Sequence, residues 1–534
     1  MCRPSWICIK PVKNCKGRQL TTNIATIPQV TLTKAFSSPF KNVIAAARTC
    51  YSSKGIIDDE QISLEEDSRD RAIAASIYRA GHHTTFQHAQ FQFTLSEISR
   101  HFVWSFLHSH PFYNSEQVSQ RYVRLDKDSF YIPPITGAGL ELYRKTIDRQ
   151  MAVYHELREA LFPAAEAEYF RIFPARSKRR EHYKRDIQRK TQEAVRYVAP
   201  VATLTYLYHT ISAVTLLRYW RSCRQTDASH EQRQVVELMV RAVLAHDPGY
   251  ELVLEEPLEE ADFAEFPWIQ DTARPGPGFK EEFDASLEGR VSRLVDYKTG
   301  GEETLAMAVR EVLGRSRSEL PDDDAIALAL DPDRNPVFGE VLNLTTHAKL
   351  TRTLHHPGYT FRKYLSHTAD SQDQRHRMTP ASRPILAAQL SDEPDFITPA
   401  LIQADESSLQ RYREIMDRTW EAIEKLKKLG LLPEFAHYLL PNAVAVRFTE
   451  SADLLNLHHK HRMRLCYNSQ EEIWRASVDE AEQVRQVHSR IGRYLLPPCT
   501  LRRIAGAKPY CPEGDRYCGV PVWNLDIGEY ERLL

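Results

Sequence analysis

The sequence predicts an α+β protein made of two similar domains in tandem, each rich in helices and containing a modest sheet. Three observations lead to this prediction: a break near the middle of the 534-residue chain, corresponding amphipathic segments on both sides of it, and few segments with strand-like alternation. At roughly 100–200 residues per domain, the length allows two to four domains with complete hydrophobic cores.

The break lies between residues 254 and 288, where a run of acidic residues is followed by Pro and Gly. Charge repulsion and the turn preference of Pro and Gly predict an exposed linker here. We therefore divide the chain into an N-terminal extension, a first repeat, an acidic Pro/Gly linker, a second repeat and a C-terminal tail that contains cysteines. The predicted boundaries are 1–29, 30–253, 254–288, 289–500 and 501–534.

Helical periodicity recurs at corresponding places in the two repeats. Each repeat opens with an apolar, helix-like segment, at residues 42–48 and 303–310. A long amphipathic helix is predicted over residues 140–161, where apolar side chains recur at spacings of three and four. Its counterpart in the second repeat is predicted over residues 409–426.

Strand-like segments are fewer than helical ones. Residues 90–95 alternate between polar and apolar side chains, and residues 341–345 do the same. One such segment lies in each repeat, so a modest sheet is predicted for each.

Two further matches support a duplication. The segment Tyr197-Val-Ala-Pro200 corresponds to Tyr438-Leu-Leu-Pro441, and His110, in a polar segment, is matched with His367. Each match alone is weak, but their shared order predicts a tandem repeat.

Composition excludes several classes of protein. The chain has 70 Lys and Arg against 71 Asp and Glu, so no overall charge attracts nucleic acid or anionic lipid. No apolar run approaches the roughly 18 residues of a membrane span, and residues 1–23 lack the apolar region of a signal peptide. We therefore expect a soluble, cytoplasmic protein without a membrane or nucleic-acid partner.

Two polar segments of the first repeat are candidates for ligand binding. Residues 82–88 contain three His, two Thr and one Gln, and residues 110–122 combine amides and hydroxyls with Arg121. An Arg fork beside a hydroxyl suits bidentate capture of a phosphate or carboxylate. The alternative is a pair of polar turns whose side chains bond their own backbone.

Together these segments resemble the flavin-dependent thymidylate synthases, which carry the motifs H-x-T-x-F-E-H and R-H-R-x-x-S-x-N-E-x-S-x-R-Y. The first motif is present at 82–88 with Gln87 in place of Glu. The second motif spans 109–122, where Ser109 and Pro111 replace the two opening Arg residues. The positions that match are His110, Ser119, Arg121 and Tyr122.

Further matches to this family are divided between the repeats. Arg196 corresponds to the family's phosphate-binding Arg, whereas His437 stands at that position in the second repeat. In the second repeat, Arg464 falls on the Arg that activates the pyrimidine ring and His459 on a neighbouring His, but Asp453 replaces a flavin-contacting Asn. Each repeat thus keeps residues that the other has lost.

The resemblance implies reductive methylation of dUMP to dTMP, with methylenetetrahydrofolate as carbon donor and NADPH as the reductant of FAD. A guanidinium beside the ring stabilises the negative charge that develops there. Because family members are tetramers with sites between subunits, a homodimer of the fused chain is expected. The implied roles are catalytic for Arg464 and Ser119, substrate-binding for Gln117, Arg121, Arg196 and His459, and flavin-binding for His82, Thr84, Gln87 and His110.

Other interpretations remain open at this stage. The chain is alternatively a non-catalytic paralogue that binds nucleotide or flavin, or a flavin enzyme that transfers a methyl or hydroxymethyl group to another nucleobase. Three C-terminal cysteines, with Cys466 or His488, offer thiolates for zinc, but the usual closely spaced pair is absent. We therefore predict free thiols and no metal. These cysteines are Cys499, Cys511 and Cys518.

Overall fold

The computed structural model describes residues 25–66, 68–108, 111–123, 125, 129–269 and 275–532. Most of the predicted N-terminal extension, residues 1–24, therefore lies outside the described residues. The strands of the first half are β1 (Gln29–Ala35), β2 (Gln90–Ser99), β3 (Tyr113–Gln117) and β4 (Leu204–Ser212). Its helices are α1 (Pro39–Thr49), α2 (Arg69–Arg79), α3 (Arg100–His108), α4 (Gly137–Ala160), α5 (Phe162–Ile172), α6 (Arg180–Val195), α7 (Ala213–Arg221) and α8 (His230–His246).

Two short helices precede the second half, which repeats the pattern of the first. These two helices are α9 (Phe266–Ile269) and α10 (Phe279–Ser286). The strands that follow are β5 (Ser292–Tyr297), β6 (Gly358–Ser366), β7 (Ala381–Ser382) and β8 (Ala445–Asp453). The helices are α11 (Gly301–Leu313), α12 (Asp322–Leu330), α13 (His367–Asp373), α14 (Leu386–Gln389), α15 (Ala400–Gln403), α16 (Glu406–Lys428), α17 (Pro433–His437), α18 (Leu454–Arg464), α19 (Glu471–Val487), α20 (Ser489–Gly492) and α21 (Pro498–Ile504).

Each half contains one four-stranded antiparallel sheet with the same strand order. The order is β1-β2-β4-β3 in the first half and β5-β6-β8-β7 in the second. Alternate side chains of β2, from Phe91 to Leu95, are buried and pack with apolar residues of α8. In the second half, β6 packs with α19 in the same way. The predicted α+β class, with a modest sheet in each of two tandem domains, is confirmed.

Equivalent hydrogen bonds identify the corresponding positions in the two halves. Ser99 ends β2 and donates its N–H and hydroxyl to Glu231, both at 2.6 Å. Ser366 ends β6 and donates the same two groups to Glu472 at 2.5 and 2.7 Å. Glu231 and Glu472 lie equally far along the chain from Pro200 and Pro441, and this common spacing allows the halves to be compared residue by residue.

The two halves are joined by reciprocal contacts. Tyr438 of the second half donates to Glu231 of the first at 2.9 Å, and Tyr197 of the first donates to Glu472 of the second at 2.5 Å. Pro200 and the equivalent proline of the second half form an antiparallel bridge. Helices α4 and α16 pack together, and one hydrophobic cluster draws residues from both halves. The halves therefore share one hydrophobic cluster, while each half also keeps a cluster of its own.

The structure confirms most predicted elements and corrects two. The strand predicted at 341–345 is wrong: this segment is a loop, in which the Asn343 side chain bonds the side chains of Thr345 and His459. The predicted exposed linker contains α10, whose Phe283 is buried and whose Asp284 pairs with Arg447. No helix in the described part of the chain is long and apolar enough to cross a membrane.

Candidate anion-binding site between the two halves

Arg121 follows β3 and links both halves. Its Nε lies 2.5 Å from a carboxylate oxygen of Glu193 on α6, and its Nη2 donates to the carbonyl oxygen of Asn468 at 2.6 Å. Burial alone would raise the pKa of Glu193, but Arg121, Lys190 and neighbouring cations lower this pKa to about 2. The Arg121 side chain is therefore fixed by a first-half carboxylate and a second-half carbonyl.

Arg196 is a buried cation with unused hydrogen-bond donors. It is 4% exposed, and among the described residues its Nε and Nη2 have no hydrogen-bond partner. Nε2 of Gln120, also buried, has no partner among them either. Leaving such donors unpaired in the interior costs free energy. Burial lowers the Arg196 pKa, Glu193 opposes this effect and Arg121 adds to it. An anion bound here would compensate the positive charge of Arg196 and accept hydrogen bonds from its unpaired donors.

Arg100 is a further, half-buried arginine, which the sequence interpretation did not include in the site. It begins α3 and donates to Oε1 of Gln117 at 2.9 Å and to the carbonyl of Val118. Burial and the charge of Arg196 lower its pKa to about 9, and its Nε is without a partner among the described residues. Its position at the end of β2, beside the motif segment, is the signal that could have identified it.

Arg464 brings a guanidinium from the second half to this cluster. It ends α18 and is held by Nε2 of His376 and the carbonyl of Gln372, both at 2.8 Å. Burial lowers its pKa to about 10; Asp373 opposes this effect, and Arg121 adds to it. Because Arg121 also lowers the pKa of Arg196, the three predicted arginines lie close enough to interact electrostatically.

The second half contains an Arg-His-Arg sequence that the sequence interpretation aligned incorrectly. His367 begins α13 directly after β6, so it corresponds to Arg100 and not to His110. Ala381 of β7 pairs with Glu450 as Ser115 of β3 pairs with His209. With this register, His376 is the counterpart of His110. Arg375-His376-Arg377 therefore stands where the first half has Ser109-His110-Pro111, and the literal motif was visible in the sequence.

The two incomplete motifs meet across the junction of the halves. Arg375 pairs with the carboxylate of Glu116 at 2.7 and 2.8 Å. Arg377 donates to the carbonyl of Pro111 and to Oδ1 of Asn114, both at 3.1 Å. The second half thus supplies the opening Arg-His-Arg, and the first half supplies the closing Ser-x-Arg-Tyr, at one place in the molecule.

The remaining residues predicted to be catalytic or substrate-binding lie beside the arginines. The Ser119 hydroxyl oxygen accepts from the Arg121 N–H at 3.3 Å, and Gln117 is held by Arg100. His459 is half-buried, and its ring lies 6.0 Å from that of His376. These side chains are available at the edge of the arginine cluster.

The predicted flavin-binding residues do not join this cluster within one chain. His82, Thr84 and Gln87 are exposed at the start of β2, at or next to a 3-10 turn. Arg100 follows the other end of this strand, about 30 Å away at 3.3 Å per residue. The fourth predicted residue, His110, lies outside the described residues. Spatial separation along β2 therefore divides the predicted residues into two groups.

The second half has an open groove at the place that corresponds to the His82 turn. Its volume is about 700 Å³, and its lining includes a 2.8 Å pair between His355 Nδ1 and Asp453. Next to the arginine cluster, by contrast, the cavity beside Glu193 and Tyr197 measures only about 30 Å³. The size of the groove fits a drug-sized or flavin-sized ring system, whereas the small cavity holds no more than one or two water molecules.

The C-terminal cysteines form part of a small core. Cys499 and Cys518 pack against a cluster built on Tyr467 and Trp474. His488 bonds Tyr359 instead. In the described part of the chain, no three His, Cys, Asp or Glu side chains are arranged to hold a metal ion. The absence of a metal stays a prediction.

Fold and site define a duplicated α+β protein with a partly buried arginine cluster, suited to an anionic ligand, between its halves. The chain belongs to the family described as thymidylate synthase complementing protein, whose sequence profile matches residues 31–249 and 293–489. This result confirms the family resemblance and accounts for the tandem repeat.

Individual relatives correspond to about one half of this chain. The flavin-dependent thymidylate synthase of Clostridium tetani is 27% identical over 218 residues, which are 40% of this chain and 82% of that protein. The enzyme of the same name from Sulfurisphaera tokodaii is 28% identical over 216 residues, which are 39% and 79% of the two chains. A crystal structure of the UMP/dUMP methylase PolB from Streptomyces cacaoi, bound with 5-Br dUMP, aligns with a TM-score of 0.32 at 20% identity, covering 43% of this chain and 95% of that one.

Proposed function

We propose that this protein is a flavin-dependent thymidylate synthase-like enzyme that methylates dUMP reductively to dTMP, using methylenetetrahydrofolate and NADPH. The observation that supports this proposal most strongly is the convergence of Arg121 and Arg196 from the first half with Arg464 from the second. Family membership supplies the reaction class. The unused donors of Arg196 support an anionic ligand.

The arginines have separate tasks in this proposal. Arg196 and Arg121 bind the phosphate, because two guanidinium groups match its charge and its acceptor oxygens. Arg464 lies beside the pyrimidine and stabilises the negative charge that develops on the ring. Ser119 and Gln117 donate to the nucleotide from the adjacent segment. His459 contacts the ring from α18.

FAD is the proposed redox cofactor, and when bound it supplies the reducing electrons. The exposed polar side chains of His82, Thr84 and Gln87 are suited to hydrogen-bond one side of FAD. Because these residues lie at the far end of β2 from Arg100, a second copy of the chain is needed to bring a flavin to the arginines. We therefore propose a homodimer in which the four halves take the places of four subunits.

Purification and a single reduction experiment test this function. The protein is expected to be yellow or to take up added FAD, and NADPH is expected to bleach the flavin absorbance. Formation of dTMP should require dUMP, methylenetetrahydrofolate and NADPH together. Protein that takes up no FAD and forms no dTMP would contradict the proposal.

A non-catalytic nucleotide-binding protein is the second candidate. It is favoured by the loss of the flavin-contacting Asn at Asp453. A non-catalytic protein would bind dUMP through Arg196 in a calorimetric titration. It would show no flavin absorbance, and this combination distinguishes it from the enzyme. In that case Arg196→Ala abolishes binding, and no combination of reductant and carbon donor yields dTMP.

A further inference from the structure

The Arg464 guanidinium is held from one side by the end of α13 and the residues that follow it. Its Nε–H donates to Nε2 of His376 at 2.8 Å, and its Nη2–H donates to the carbonyl oxygen of Gln372 at 2.8 Å. The remaining nitrogen, Nη1, has no hydrogen-bond partner among the described residues. Two of the three nitrogens therefore fix the plane of the group, and the third is left for a ligand.

This arrangement requires a particular protonation state of His376. An imidazole nitrogen accepts a hydrogen bond only when it carries no proton. Burial lowers the pKa of His376 well below its ordinary value; Arg464, Lys460 and His459 of the α18 helix lower it further, and Asp373 of α13 opposes them. The half-buried ring is consequently neutral near neutral pH and accepts from Arg464.

We propose that His376 is a positioning residue for the reaction, because its unprotonated Nε2 aims the Arg464 guanidinium so that Nη1 faces the pyrimidine ring. This inference rests on the proposed function for the identity of the ligand. The hydrogen bond itself is independent of that identity. His376 does not touch the substrate; it acts through Arg464.

The expected consequence follows from the value of preorganised charge. A guanidinium that is already aimed pays no reorganisation cost when the ring becomes negative. Without His376, the same side chain samples several orientations, and the stabilisation of the developing charge falls. Phosphate binding by Arg121 and Arg196 is unaffected, since their contacts lie elsewhere.

Two variants separate positioning from packing. His376→Phe keeps a ring without an acceptor, whereas His376→Gln places an amide oxygen near the position of Nε2. We expect His376→Phe to lower kcat about 100-fold while the dUMP Kd changes less than about threefold, and His376→Gln to retain kcat within about fivefold. The exposed His347 provides a matched control, His347→Phe, with unchanged kcat.

Different results would overturn the inference. Unchanged kcat in His376→Phe, equal losses in both variants, or a dUMP Kd that rises in step with the loss of kcat would each show that His376 does not aim Arg464. A wild-type protein without turnover would contradict the proposed function instead.

A nitrogen-15 NMR spectrum of histidine-labelled protein tests the hydrogen bond without any turnover. The His376 signal is identified by its absence in His376→Gln. At about pH 7 we expect an unprotonated Nε2 and a protonated Nδ1, and in Arg464→Ala we expect the ring to take up a proton at a higher pH than in the wild type. A protonated Nε2 at about pH 7 in the wild type would overturn the inference.

Discussion

The two halves share a fold but differ in the chemistry of their cores. In the first half, Phe106, His209 and Tyr219 form an aromatic cluster beneath the sheet. The ring of Phe106 lies 4.6 Å from that of Tyr219 and 5.2 Å from that of His209, and the latter two side chains share a 3.2 Å hydrogen bond. Ring packing and apolar contacts hold this core together.

The corresponding positions of the second half carry charges. Asp373, Glu450 and Lys460 stand where the first half has its three aromatic residues, and Lys363 replaces a leucine. Lys363 Nζ lies 3.0 Å from both Asp373 and Glu450 and 2.7 Å from Glu480, while Lys460 contacts Asp373 at 2.9 Å. All five side chains are 0–1% exposed.

This difference separates the roles of the two halves. A buried ionic network stabilises a fold less than an apolar core does, but it fixes which groups face each other. Here the network joins Asp373 on α13 to Lys460 on α18. The ends of these two helices place His376 against Arg464. The second half therefore holds Arg464 next to a buried ionic network, and the first half holds Arg121 and Arg196 on a domain with an apolar core.

The largest expected effect comes from breaking the ionic core. Lys363→Met leaves three buried carboxylates with less compensation, so the free energy of unfolding should fall by about 3–5 kcal/mol. Its matched control is Leu95→Met at the corresponding position of the first half, where the loss should stay below about 1.5 kcal/mol. Urea unfolding measures both. Equal, small losses would show that the second core does not depend on its charges.

The next effect concerns catalysis rather than folding. Arg464→Lys keeps a positive charge but loses the planar fork that His376 and Gln372 hold. We expect kcat to fall by about 10²- to 10³-fold, with little change in unfolding free energy. Cys223 stands at the corresponding position of the first half, and Cys223→Ala should leave kcat unchanged. A similar loss in both variants would contradict the division of roles.

A pH-dependent effect of intermediate size is expected at Glu193. Burial raises the pKa of this carboxyl, but Arg121, Lys190 and Arg196 lower it to about 2, from an ordinary value of 4.5. Its contribution to stability is therefore complete above the ordinary pKa and is lost as the pH falls toward 2.

Unfolding measurements across this range check the direction. The stability difference between wild type and Glu193→Gln should be largest at neutral pH and should shrink steadily as the solution is acidified. A stability difference that grows as the solution is acidified would refute the explanation.

The smallest effect is expected where the two motif segments meet at the surface. The Arg375–Glu116 pair is 48% and 75% exposed in its two side chains. Glu116→Gln should therefore lower the free energy of unfolding by less than about 1 kcal/mol, and added salt should remove the difference. A loss of unfolding free energy that persists in high salt would contradict the assignment of this contact as an exposed, salt-screened ion pair.

Local periodicity was sufficient to predict much of the fold. The long helices α4 and α16 and the start of β2 follow from spacing alone, and Gly430 ends its helix with a φ of +83°. The loop at 341–345 was mistaken for a strand because alternation is a local signal. Pairing depends on whether a neighbouring strand is within reach, and a short sequence pattern does not contain that information.

The site was predicted only in part, for a similar reason. Arg121, Arg196 and Arg464 were identified individually from motif matches, and the structure places them near one another. Arg100 and His376 were missed because their importance comes from contacts between distant segments. The alignment of His367 failed because two histidines, His367 and His376, precede β7, and only the strand pairing shows which of them corresponds to His110.

The central claim is that the two halves build one nucleotide site together instead of one site each. Calorimetric titration of the full chain with dUMP tests this claim directly, because it counts sites. We predict one dUMP per chain, with binding abolished by Arg196→Ala and retained in Arg464→Lys. Two dUMP per chain, or undiminished binding in Arg196→Ala, would contradict the account.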